Sequence, residues 1–96
     1  MSSYVLSFRG REDRSPSPAE EGAWMEWFQK IGASISDSGH RVGASRALGA
    51  ANGRPDVLSG YIVVNAGSLD EAERLATGCP GLTQGGGVEV AEIVEM

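Results

Sequence analysis

Residues 60 to 66, GYIVVNA, constrain the fold of this chain more than any other stretch. Side chains alternate along a strand, so Tyr61 and Val63 fall on one face and Ile62 and Val64 on the other. A strand that is apolar on both faces needs cover on both. Those covers have to come from the rest of the chain or from a partner, and 96 residues make one domain, 1–96, with a modest core.

The rest of the chain reads as follows. SYVLSFR alternates in the same way, with Tyr4, Leu6 and Phe8 on one face and Val5 and Ser7 on the other, and predicts a first strand. Ser17, Pro18 and Glu20 have the layout of an N-cap, a first-turn proline and a capping-box acid. Trp24, Phe28, Ile31 and Ile35, with Trp27 beside them, then form an apolar stripe over about five turns, which Gly39 is expected to end. RVGASRALG, residues 41 to 49, predicts a weak second strand at a sheet edge, because glycine and alanine give little to pack. Asn52-Gly53 marks the turn before the third strand. Ser68 and Glu71 repeat the capping pattern, and Leu69, Ala72, Leu75, Ala76 and Cys79 recur at helical spacing until Gly78 and Pro80 stop the helix. GVEVAEIVEM returns to strand.

The order is therefore βαββαβ, which predicts an α+β, ferredoxin-like sandwich: four antiparallel strands with both helices on one face. In that topology strands one and three are central. The other sheet face has no cover within the chain, so a homodimer closed through that face is expected.

Net charge is −5, a field that repels phosphate backbones, so no nucleic-acid partner is expected. No apolar run approaches the ~20 residues of a membrane span. MSSYVLSF lacks a basic leader region and reads as strand, so a cytoplasmic location without membrane attachment is expected. One cysteine permits no internal disulfide and no cysteine-based metal site, and the carboxylates lack ligand spacing. Neither a metal nor a cofactor is expected. Gly85, Gly86 and Gly87 precede a strand instead of a helix, which is the wrong context for cradling phosphate, and they read as a flexible lead-in.

Candidate site residues are few. Cys79 lies at the negative end of the second predicted helix, where a thiolate is disfavoured, and reads as a buried structural residue. His40 reads either as a loop histidine near a helix end or as an acid/base group at neutral pH. Arg9, with Arg11 and Arg14 among Glu12 and Asp13, reads either as part of a solvated loop after strand one or as a captor of an anionic small molecule. Trp24, Trp27 and Phe28 read either as plain core or as the lining of an aromatic-binding pocket. The candidate ligand-binding set is thus Arg9, Trp24, Trp27 and His40, and no catalytic residue is assigned.

SGYIVVNAGSLDEAERLATGCPGLTQGGGVEVAEI closely resembles the C-terminal half of the YCII-related, or DGPF, domain proteins, in the succession S-L-D-E-A, C-P and G-G-x-V-E-V. YVLSFRG and WMEWFQKIGASISDSG resemble the first half. The resemblance implies a ferredoxin-like, dimeric α+β barrel. It also implies, from relatives encoded beside alternative sigma factors, a regulatory or stress association. The hairpin that carries D-G-P-F in many relatives reads NGRPDVLSG here, so no role of that motif carries over. Some relatives are proposed to use a His-Asp pair, the histidine early in the first helix and the aspartate before a proline after the second. Here the first helix has no histidine and Cys79 stands before Pro80. The expected function is therefore a small homodimeric binding or accessory module with a small-molecule ligand. The alternative is a cofactor-free enzyme acting on a small aromatic or lactone-like metabolite in the barrel cavity.

Overall fold

The computed structural model describes residues 1–11 and 16–95. Glu12, Asp13 and Arg14 of the mixed-charge stretch lie outside the described residues. Four strands and two helices follow in the order β1 Ser2–Gly10, α1 Pro18–Lys30, β2 Ile35–Arg41, β3 Val57–Ala66, α2 Leu69–Ala76 and β4 Gly87–Glu92. The strands form one sheet in the order β2-β3-β1-β4, with all three neighbouring pairs antiparallel. The two most apolar strands are central, as expected, and the molecule is only 19 Å along its shortest axis, the thickness of one sheet and one helical layer.

Alternation along the central strands decides which face the helices cover. Tyr4, Leu6 and Phe8 of β1 and Ile62, Val64 and Ala66 of β3 are buried, and they pack with Trp27 and Ile31 from α1 and Ala72 and Ala76 from α2. Leu6 and Val64 are wholly inaccessible. The opposite face carries two rows across the sheet, read from the strand register. One row is Asp37, Val63, Val5 and Ala91; the other is His40, Tyr61, Ser7 and Glu89.

Both helix starts follow the sequence. Ser17 accepts a hydrogen bond from the Glu20 amide, and the Glu20 carboxylate accepts one from the Ser17 amide. At α2 the Ser68 hydroxyl accepts from the Glu71 amide, but the Glu71 carboxylate reaches past Ser68 to the Gly67 amide. Each start also places two acidic residues in its first turn, where the helix dipole favours them.

Three expectations are corrected. The first helix ends at Lys30, well short of Gly39; a short 3-10 turn, Gly32–Ser34, follows, and Ile35 opens β2. Gly32 and Ser34 are weak helix formers, and an extended segment here gains a ladder of hydrogen bonds against β3. The second strand is consequently Ile35–Arg41, and residues 43 to 48, expected as strand, carry no regular structure in an exposed excursion. Gly39 lies inside β2 at φ 62°, where the register with β3 is irregular between Asp37 and His40. Finally, α2 stops at Ala76, so Cys79 stands beyond the helix, and Leu69 is exposed instead of joining the buried stripe.

Candidate functional site

The aromatic face of α1 meets the sheet at its Phe8 end. Phe8 has three edge-on or near edge-on neighbours, at centroid distances of 4.9 Å to Trp24, 5.8 Å to Trp27 and 6.4 Å to Phe28. The two tryptophans, three residues apart on the helix, then diverge. Trp27 turns inward: it is 5% exposed, and its indole N–H donates to the Leu75 carbonyl at 3.3 Å. Trp24 is half-buried and donates to the Gln84 side-chain oxygen at 3.1 Å. Each ring lies against a glycine where an added Cβ would crowd it. A Cβ at Gly78 would lie 3.0 Å from Trp27 Nε1, and one at Gly81 would lie 3.1 Å from Trp24 Cζ2.

In front of Trp24 opens a concavity of about 980 Å³, within the range of small-molecule sites. Phe8, Trp24 and Phe28 form its aromatic wall, Gln84 and Gly86 border it, and Gly39, His40 and Tyr61 form the wall from β2 and β3. Arg9 also lines it. Of the four residues singled out from sequence, Arg9, Trp24 and His40 line the concavity, Trp24 from the helix side and His40 from the sheet face away from the helices, whereas Trp27 lies in the core.

Backbone geometry places His40. Its ring lies 6.2 Å from that of Tyr61, its register partner on β3. Gly39 makes this possible: its positive φ suits glycine, and any Cβ there would run into the Tyr61 carbonyl oxygen. The Asp37 carboxylate accepts from the Gly39 amide at 2.8 Å and closes the bulge.

Arg9 is a strand residue, not part of a loop after β1. Its Nε donates to Asp56 Oδ1 at 2.9 Å, and Arg54 Nε lies 3.7 Å from the same oxygen. The hydrogen bond from Arg9 holds the Asp56 carboxyl below its usual pKa. The pair ties the end of the 42–56 excursion to the sheet, and it competes with any anion for the Arg9 guanidinium. Ser59 adds a second tie, its hydroxyl donating to the Phe8 carbonyl at 3.1 Å where the β1–β3 register shifts.

Cys79 is buried beneath this region and does not line the concavity. Burial pushes its thiol pKa up, outweighing the opposing effect of the Gly81 and Leu82 amides. Among the described residues, no group of three or more His, Cys, Asp or Glu side chains is placed to hold a metal ion. No helix among them is long and apolar enough to cross a membrane.

Gln84 was not singled out from sequence. Its signal, a polar residue before three glycines, acquires meaning only once the loop folds. Gly86 donates to the Gly81 carbonyl at 2.8 Å, and its Cβ position, 2.5 Å from the Arg9 carbonyl, admits only glycine. Gly86 is thus packed closely against β1, and Gly87 already pairs with Arg9 as the first residue of β4.

Among solved structures, the chain is similar to TftG, the 5-chloro-2-hydroxyhydroquinone dehydrochlorinase of Burkholderia phenoliruptrix AC1100, in its complex with 2,5-dihydroxybenzoquinone. The TM-score is 0.61 at 17% identity, over 98% of this chain and 95% of that one. At this identity the likeness establishes the ferredoxin-like α+β fold. No protein of curated function matches. The model of the YCII-related domain matches residues 9–96, nearly the whole length, and the chain belongs to that family.

Proposed function

We propose that this protein is a homodimeric binding module of the cytoplasm that takes a small planar aromatic compound in the concavity in front of Trp24. The observation that carries the reading is the division of labour between the two tryptophans. Trp27 is spent on the core, while Trp24 is held half-exposed at the concavity by a glycine, a phenylalanine and a side-chain hydrogen bond. A ring fixed in this way offers a stacking surface at little cost in lost motion on binding. The fold neighbour's ligand, 2,5-dihydroxybenzoquinone, is a compound of the same general shape.

Dimerisation is supported by the uncovered sheet face, where Val63, Val5 and Ala91 run side by side with Tyr61 in the next row. Burying such a strip at ~25 cal/mol per Å² favours association, while Asp37, Glu89 and His40 at its margins suit a polar rim. A titration followed by calorimetry, with 2,5-dihydroxybenzoquinone as the probe, tests the ligand reading. Saturable binding that Trp24→Ala abolishes supports it; a flat titration up to millimolar probe contradicts it.

The second reading is cofactor-free turnover of a small aromatic or lactone-like metabolite. His40 favours it, since an imidazole on the wall of the concavity beside Tyr61 can move a proton to or from a bound hydroxyl. Incubation with chlorinated hydroxyhydroquinones, read as released chloride, separates the two readings: release lost in His40→Ala favours the enzyme.

A further inference from the structure

Gln84 is the polar side chain that fixes Trp24, and its own orientation follows from the chemistry of the bond. An indole N–H can only donate, so the atom of Gln84 facing it at 3.1 Å is the carbonyl oxygen. The amide nitrogen, with two donors, is therefore turned away from Trp24, on a side chain that borders the concavity. The backbone beneath it is fixed as well. The Gln84 amide donates to the Gly81 carbonyl, Gly86 donates to the same oxygen, and Leu82 donates to Cys79. Gly81 in turn is pressed against the Trp24 ring. Ring, amide and loop are joined by these contacts and hydrogen bonds.

Resting on the reading of this concavity as a ligand site, we infer that Gln84 determines specificity by donating from its amide nitrogen to an acceptor oxygen on the ring bound beside Trp24. The ligand class is thereby narrowed to aromatic or quinonoid compounds bearing a carbonyl or carboxylate oxygen near the ring edge. Rings without such an oxygen leave the amide unpaired. A site built around a fixed hydrogen-bond donor discriminates against an analogue lacking the acceptor, because a partly buried polar group is left unsatisfied.

The test compares acetophenone with ethylbenzene, rings of the same size that differ by one carbonyl oxygen, against the wild-type chain, Gln84→Glu and Gln84→Met. Glutamate still accepts from the Trp24 indole but, ionised, donates nothing; methionine removes both functions. Binding is read from the chemical shifts of the indole N–H groups, which also report whether the tether to Trp24 persists. We expect the wild type to prefer acetophenone by about tenfold, the size of one hydrogen bond. Gln84→Glu should lose that preference while keeping the hydrogen-bonded Trp24 indole shift. Gln84→Met should lose both, and it serves as the second donor-free variant if the glutamate chain fails to fold. Retention of the preference in folded donor-free variants overturns the inference and leaves the ligand site standing. Failure of the wild type to bind either ring while it still binds 2,5-dihydroxybenzoquinone overturns the inference alone; failure to bind all three removes the site and the inference together.

Discussion

Replacing Gly39 by alanine probes the link between the backbone of β2 and the site it carries. Gly39 has φ 62°, a region that costs a residue with a Cβ about 1 to 2 kcal/mol. The added Cβ would also collide with the Tyr61 carbonyl oxygen and crowd Tyr61 Cδ2 at 3.1 Å. That overlap cannot be relieved by a rotamer change, because the obstacle is backbone. β2 must back away from β3 and lose at least one ladder hydrogen bond, worth about 1 kcal/mol. The sum is roughly 3 kcal/mol, and at about 4 °C or more per kcal/mol for a domain of this size it lowers Tm by more than ~10 °C. Gly22→Ala is the matched control. Gly22 lies within α1, its Cβ position meets nothing within 4 Å, and alanine there should stabilise by about 0.5 to 1 kcal/mol. Thermal and urea unfolding of both variants, with the His40 ring resonances followed by NMR, read out stability and site together. A Gly39→Ala protein that melts like the wild type with unmoved His40 signals would refute this account of the bulge.

Cys79→Ala should cost on the order of 1 kcal/mol through lost packing and leave ligand binding unchanged; rapid labelling of the native thiol at neutral pH would contradict the buried assignment. Because burial raises the Cys79 pKa above its ordinary 9.0, the unfolded chain ionises first. The thiol's contribution should therefore be complete below pH 9 and decline as pH rises further, a decline that Cys79→Ala removes from the stability profile. Asp56→Asn should loosen the 42–56 excursion, seen as faster amide exchange there with little change in global unfolding. Since the Asp56 pKa is lowered from 3.8, the wild-type tether should hold above that value and release as pH falls through its folded pKa.

The parts legible in the sequence are those where a periodic pattern coincided with a chemical punctuation mark. Ser17-Pro18-Glu20 and Ser68-Glu71 located both helix starts, and two-residue alternation located β1 and β3 and sorted their side chains into two faces, without deciding which one the helices cover. The misreading lay between them. Ile35 follows Ile31 at helical spacing, yet it opens a strand, since a spacing of four satisfies a helix without requiring one. Gly39 supplies a positive φ, which serves a helix end and a strand bulge equally well; only the pairing with Tyr61 decides between them. Trp24 and Trp27 share one stripe in the sequence, and their separation into concavity wall and core is made against Gly81 and Gly78, more than fifty residues away. Gln84 carried only a faint local signal, a polar residue before three glycines, because its contact with Trp24 is made by the loop that turns it there.

The central claim, that the concavity in front of Trp24 is a ligand site and the core behind it is not, has an internal control in the two indoles. In a ¹⁵N-labelled sample titrated with 2,5-dihydroxybenzoquinone, the Trp24 Nε1–H signal should move saturably. The Trp27 Nε1–H signal, bonded to Leu75 and 5% exposed, should stay in place. Movement of neither indole, or of Trp27 alone, would contradict the account.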